Sequence, residues 1–322
     1  MDSSSSKYAK ATYSTVVFII VVLIFWGWRS GAWKNTIVAT DTAKEAQANN
    51  IGAVNTWNCG DSGGNVIATL IDDKTLIISG TGKMADYKSD IISEKTLPWY
   101  NINKDSITDV VIEQGVTSIG NNTFKGLMNL TSVTIPNSVK KIGDNAFFEC
   151  SSMTSITIPN SVTYLGMSAF AVSGLTSVTI PDSVTFINSG MFISCEKMTS
   201  VTLHNRVRTI HEIAFALCAS LTSITIPSSV YSIGMDAFGD CANLTSIIIN
   251  NRRPPGIDYY GAFGPAPGYS GPGDFAAKRK LYLSKACLYV PSNSIPAYRA
   301  DKGWDQFKCI KPIKSAPRGG RL

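Results

Sequence analysis

The chain of 322 residues has room for one large domain or two ordinary ones, and an apolar content of 44% is enough for a substantial core. Charged residues make up only 16%, and two histidines leave little material for acid–base catalysis or metal binding. The net charge of +6 arises at one end: residues 1–107 carry ten basic and ten acidic groups, residues 108–250 six and nine, and residues 251–322 thirteen and four. A basic end of this kind can attract an anionic surface or serve as a solvated cap and tail, and no specific nucleic-acid partner is expected.

Residues 1–33 read as a targeting or anchoring segment. Lys7 and Lys10 precede an apolar run from Val16 to Trp28, broken only by Gly27. The run is shorter than the roughly 20 residues that span a bilayer; extension from Tyr13 to Trp33 reaches that length but takes in Arg29. Ser30-Gly31-Ala32 offers a small-residue cleavage site, whereas Trp26 and Trp28 suit the membrane interface. A retained signal-anchor and a cleaved signal peptide both stay open. Either one places the remaining chain outside the cytoplasm.

Residues 34–56 form a polar spacer rich in Ala, Asn and Thr. Over residues 57–107 the apolar runs Val66–Ile71 and Thr75–Ile78 flank Asp72-Asp73-Lys74, a hairpin signal. This region is expected to cap the central part of the chain. Within it, Cys59-Gly-Asp-Ser-Gly-Gly64 resembles the nucleophile signature of chymotrypsin-like proteases. That family places its His and Asp before the Ser; here His204 and His211 both come after Ser62, so the motif reads as a Gly-rich turn and hydrolysis through Ser62 as a remote alternative.

Residues 108–250 repeat themselves. Thr131-Ser-Val-Thr-Ile-Pro136, Thr154-Ser-Ile-Thr-Ile-Pro159, Thr176-Ser-Val-Thr-Ile-Pro181, Thr199-Ser-Val-Thr-Leu-His204 and Thr222-Ser-Ile-Thr-Ile-Pro227 are near copies, with looser ones at Thr108 and Thr245. The steps between these seven threonines are 23, 23, 22, 23, 23 and 23 residues. In the second copy Val133 and Ile135 alternate with Ser132 and Thr134, the period of a strand with one buried face. Pro136 ends the strand because it cannot donate to a ladder. Ile142-Gly143 turns the chain, and Ala146-Phe147 begins a short helical or irregular return. One copy buries too little to offset its own backbone entropy, so the copies must stack and share a core.

The pattern A-F-x-x-C-x-x-L-T-S-V-T-I-P-x-S-V-x-x-I-G resembles the BspA-like leucine-rich repeats, over about residues 108–250. It departs from the common leucine-rich consensus in placing Ser (Ser138, Ser161, Ser183, Ser229) in the Asn/Cys slot. The resemblance implies an α/β repeat solenoid: a right-handed superhelix with a parallel sheet on one face, short helical or irregular returns on the other, and a cap at each end. Residues 57–107 resemble the N-terminal caps of the same family. It also implies surface or secreted proteins that adhere or bind partners, without naming a ligand.

After Asn250 the register breaks, and residues 251–322 read as a C-terminal cap with an insertion and a basic tail. Gly261-Ala-Phe263 and Cys287-Leu-Tyr-Val-Pro291 are similar to a repeat's return and strand, and Ser294–Ala300 is expected to form a short helix weighted by Trp304 and Phe307. The stretch 252–280 sets Arg252, Arg253, Tyr259, Tyr260 and Tyr269 among six glycines and five prolines. Tyrosines on an irregular loop give contact area at low entropic cost, so this stretch is a candidate ligand site. A second candidate is the irregular copy holding His204, Arg206 and Arg208. A third is the Ser/Thr lattice of the strands, which equally serves to keep an exposed sheet soluble.

Cys150, Cys195, Cys218 and Cys241 share one slot, three residues after the phenylalanine, and are expected to be buried and reduced. Cys287 and Cys309 frame the C-terminal cap and could form a disulfide in an oxidising compartment, leaving Cys59 over from an odd total of seven. The sequons Asn129-Leu-Thr131 and Asn243-Leu-Thr245 arise from the repeat itself. The chain is not read as an enzyme, and no cofactor or metal is expected. Its expected partners are a surface protein, a matrix component or a glycan, with the membrane engaged through the N-terminal segment; a structural spacer or coat component without a ligand is the alternative.

Overall fold

The computed structural model describes residues 55–62, 64–71, 73–88, 97–99, 104–257, 261–264, 283 and 285–313. The chain divides into two units. One is Met1–Ala53 with Pro267–Gly273, outside the described residues; the other, Val54–Ala266 with Asp274–Leu322, contains every described residue. The anchoring segment and the polar spacer up to residue 54 thus lie outside the described residues, among which no helix is long and apolar enough to cross a membrane.

The second unit is a β-solenoid. It begins with β1 (Asn55–Asn58), β2 (Asn65–Ile71) and β3 (Thr75–Lys83), joined as antiparallel neighbours. The β2–β3 turn pairs Ile71 with Thr75, and Asp73 adopts the left-handed φ of 53° that the tight reversal requires. From β3 onward the pairing turns parallel. Thr75–Ile78 lies against Asp109–Ile112, and Gly82–Lys83 lies against Val116–Ser118 after a bend at Gly80 and Gly82. One long strand therefore starts two rows at once.

The first row stacks the Thr-Ser-x-Thr segments. Ser132 pairs with Asp109, Ser200 with Ser177, Ser246 with Ser223, Cys287 with Ser246 and Cys309 with Cys287. Val178, Ile180, Ile224 and Ile226 are buried between exposed Ser177, Thr179, Ser223 and Thr225. The second row stacks the x-Ile pairs: Ser118, Lys141 and Tyr164 form one ladder, and Phe186, Thr209, Ser232 and Gly256 another. The glycine after the buried Ile lets corners approach closely. A Cβ on Gly143 would stand 2.6 Å from the Asn121 nitrogen, and one on Gly166 2.4 Å from the Gly143 carbonyl carbon.

The serine slot that departs from the leucine-rich consensus ties the coils together. Ser161 Oγ donates to the Val139 carbonyl at 2.9 Å, and Ser229 Oγ to that of Val207 at 2.7 Å, each reaching the preceding coil.

Of the two forms expected for the returns, helical or irregular, the irregular one is found, so only the helical part of the α/β expectation is corrected: the described residues hold little helix, chiefly Ser292–Ser294 as a 3-10 turn and α1 (Ile295–Ala300). The cause is local. In six coils the residues two before and two after the phenylalanine are left-handed, from Asn122 and Gly126 to Asp236 and Asp240, with φ between 50° and 75°. The N–H groups between them point along the stack. Phe124, Phe147, Phe192 and Phe238 donate to Ala146, Ala169, Ala214 and Ala262 of the next coil at 2.8–2.9 Å. A bond to the next coil replaces the helical bond to the fourth residue back.

These returns hold the spine of the core. Phe124, Phe147, Phe170, Phe192, Phe215, Phe238 and Phe263 stack with centroids 5.1–5.6 Å apart, the offset arrangement that aromatic pairs prefer. At the first end Trp99 lies 6.1 Å from Phe124. At the last, Phe263 meets Trp304 at 5.7 Å and Phe307 at 5.6 Å. The copy of 22 residues, Thr154 to Leu175, lacks one residue beside Gly174, and its segment 154–158 forms no regular strand. The phenylalanine spine passes through it unbroken.

Candidate functional site

The fold separates the expected site residues. His204 and Arg206 stand together with Asp182, Leu203 and Asn205 around a cleft of about 340 Å³. They occupy the Pro and Ser slots of their coil. His204 Nδ1 accepts the Arg206 backbone N–H at 3.1 Å and lies 3.7 Å from Asp182 Oδ1, so the imidazole closes the corner that Pro shapes elsewhere. Arg208 projects instead from the second row, where its backbone N–H donates to the Thr185 carbonyl at 2.8 Å.

Arg252 and Arg253 are exposed in a bend two residues before Pro255, whose carbonyl accepts the Trp304 indole N–H at 2.9 Å. They belong to a coil, not to an insertion: Gly256–Ile257 pairs with Ser232–Ile233, and Phe263–Gly264 with Phe238–Gly239. Residues 265–282 lie outside the described residues. Tyr259, Tyr260 and Tyr269 lie outside the described residues.

Cys287 and Cys309 occupy directly paired positions on adjacent parallel strands, with their Cα atoms 4.7 Å apart and a disulfide between them. It fastens the last strand, Cys309–Pro312, to the row. The other five cysteines are buried and form no disulfide. In the shared slot each thiol donates to a phenylalanine carbonyl of the preceding coil, Cys195 to Phe170 at 3.1 Å and Cys241 to Phe215 at 3.0 Å. Burial pushes the Cys195 thiol up to about 11 and those of Cys241 and Cys59 up to about 12, so they carry almost no thiolate at neutral pH.

Ser62 is exposed beside Asp61, whose carboxylate accepts the Ser62 backbone N–H at 2.7 Å. The sequon amides are engaged as well: Asn129 Nδ2 donates to the Asp105 carbonyl at 2.6 Å and Asn243 Nδ2 to that of Ala219 at 2.9 Å. Among the described residues no group of three or more His, Cys, Asp or Glu is placed to hold a metal.

Repeat reasoning missed the outward position of the second row. Tyr164 and Phe186 are exposed there and Tyr231 just before it, Lys141 Nζ stands 5.6 Å from the Tyr164 ring, and Phe186 lies 6.2 Å from His211. A second cleft of about 420 Å³ borders the row, lined by Lys83, Lys140, Lys141, Asp61 and Asp86 among others. The signal was present in the two variable positions of S-V-x-x-I, which drop out when copies are read for what they share.

The sequence profile of the BspA type leucine rich repeat region matches six copies, over residues 95–219 and 186–257. The chain belongs to the BspA-type leucine-rich-repeat family. A leucine-rich-repeat protein from Bacteroides ovatus has a similar fold, with a TM-score of 0.52 at 17% identity over 82% of this chain and 67% of that one. A leucine rich cell surface protein from Faecalibacterium prausnitzii is 33% identical over 63% of this chain, with a TM-score of 0.45. This chain spans 57% of the length of that protein. A leucine-rich-repeat protein from Eubacterium ventriosum is 20% identical over 84% of this chain and 98% of its own, with a TM-score of 0.42. No curated protein matches the chain in sequence.

Proposed function

We propose that this BspA-type solenoid is an extracytoplasmic binding protein that adheres to a surface protein, matrix component or glycan, and that it acts by holding its partner, not by catalysis. It is attached through residues near 13–33 or released after cleavage. The reading rests on one observation: coils that share an invariant buried spine carry, in the second row, outward residues that change from coil to coil. A rigid scaffold with variable exposed positions is the arrangement by which solenoids bind. The Cys287–Cys309 disulfide supports an oxidising compartment. The coils wind right-handed, as parallel-strand crossovers do, and the β1–β3 hairpins and the α1 segment cap the two ends of the stack.

Capture from surface and matrix extracts by the immobilised full chain tests this. A partner should be retained saturably, and replacing residues 265–282 by a short Gly-Ser link should weaken its retention. Capture unchanged by that replacement removes residues 265–282, Tyr269 among them, from the site. Self-association with no heterologous capture favours the spacer reading, to which the uniform Ser/Thr lattice of the first row is also suited.

A further inference from the structure

We propose that the second strand row is a platform for a neutral, linear glycan laid along the coil stack across Tyr164 and Phe186; the proposal rests on the binding-protein reading and names its ligand class. The fold does not ask for aromatics here. The equivalent outward position holds Ser118, Lys141, Thr209 or Ser232 in other coils, yet Tyr164 is 42% exposed and Phe186 46%. Tyr231, 59% exposed, stands beside this column two coils further on. Lys141 lies on one side of the Tyr164 ring and His211 beside Phe186, yet both rings keep a large part of their surface open to solvent.

The aromatics form a short line over two successive coils, Tyr164 at the end of one ladder and Phe186 at the start of the other. Lys141 is paired with Tyr164, the Asn188 amide donates to the Leu165 carbonyl at 2.6 Å and so joins the Tyr164 coil to the Phe186 coil, and His211 stands beyond Phe186. The line is one side chain wide, bordered by Thr163 and Thr185 on one flank and by Gly166 and Asn188 on the other. A protein partner needs about 800 Å² with an apolar centre, which a single file of rings within Ser and Thr does not supply. An extended β-1,4-linked glycan needs no more than a strip. Its pyranose C–H faces are attracted by the negative faces of aromatic rings.

Charge decides between neutral and acidic chains. Lys141 and Arg208 border the line together with Asp144 and Glu212. Asp144 Oδ1 accepts the Met167 N–H at 2.8 Å and Glu212 Oε2 the Ser189 hydroxyl at 2.8 Å, which leaves lone pairs on both carboxylates. A polyanion would meet two carboxylates as well as two cations and so gain little from its charge. A sugar hydroxyl donates to carboxylate and accepts from ammonium or guanidinium, so a mixed border suits it.

The test is calorimetric titration of the full chain with cellohexaose, mannohexaose, xylohexaose and chitohexaose. At least one should bind in the micromolar to millimolar range, with little dependence on salt. Tyr164→Ala with Phe186→Ala should weaken it at least about tenfold while leaving the unfolding temperature in place. The proposal is overturned if the native chain binds none of the four at millimolar concentration, or if the double variant binds as well as the native chain. It is equally overturned if polygalacturonate or polyglutamate binds more tightly than every neutral sugar, or if the double variant abolishes self-association in sedimentation, which would make the row a contact between copies. Capture from extracts that survives the double variant, with no hexasaccharide bound, overturns the glycan assignment and leaves the binding reading standing.

Discussion

The two strand rows are made by the same coils over the same core, yet their outward positions behave in opposite ways. In the first row the outward pair is Ser and Thr in five successive coils, from Ser132 and Thr134 to Ser223 and Thr225. In the second row the outward position runs Ser118, Lys141, Tyr164, Phe186, Thr209, Ser232. The inward positions vary in neither row beyond Val, Ile and Leu. Repetition within one chain thus separates two demands. A residue that recurs in every coil answers to the fold, whereas one that varies on an identical scaffold is free to answer to something else.

The comparison requires both rows to depend on the one spine beneath them, and Phe192 is the place to break it. It is fully buried and stacks on Phe170 at 5.6 Å and Phe215 at 5.3 Å. Phe192→Ala should cost about 3–5 kcal/mol, from lost burial and the cavity left behind. For a unit of this size that lowers the unfolding temperature by roughly 6–20 °C, to be read by calorimetry. A loss below about 1 kcal/mol would mean that the coils do not share their core. The next effect concerns the first row alone. Cys287→Ser with Cys309→Ser opens a loop of 22 residues between directly paired strands. It should cost about 3 kcal/mol, and reduction of the native chain should reproduce the loss.

Much of this was legible in the sequence, and the rest hid for physical reasons. Period-2 alternation around Val133 and Ile135 and the recurrence of Ala-Phe gave away strands, spacing and the shared core, because burial imposes the same residue types on every coil. The conformation of the returns did not show. Left-handed backbone is ordinarily announced by Gly or Asn, and Asn122, Asn145 and Gly190 do announce it, but Ser168, Val172, Ile213 and Leu217 adopt the same φ under the pull of bonds to the next coil. The aromatic row was missed for the converse reason: a consensus discards the positions that differ, and Tyr164 and Phe186 are informative through their difference. The tyrosines of the candidate loop lie beyond the reach of repetition and outside the described residues.

Ile213 offers a smaller effect of opposite sign. Its φ of 50° is costly for a β-branched residue, and the equivalent position holds Asn in two other coils, Asn122 and Asn145. Ile213 is half-buried, so Ile213→Asn gives up some packing while it relieves the backbone. Relief should prevail by about 0.5–1 kcal/mol, raising the unfolding temperature by roughly 1–4 °C. A fall instead would show that packing, not backbone strain, governs the return.

The smallest effect is the sharpest test of the comparison. Phe186→Thr places in the second row the residue that Thr209 already contributes one coil later, on a strand conformation that suits it. If the outward position owes nothing to the fold, stability should change by no more than about 0.5 kcal/mol. The same replacement at Ile187, one residue along and fully buried, should cost several times as much, because it adds a hydroxyl to the core and removes apolar volume. Thermal unfolding of the two variants side by side reads the difference directly. Should they fall by equal amounts, Phe186 is packing material like its neighbour, and the variation along the second row reflects tolerance of the scaffold instead of a surface kept for a ligand.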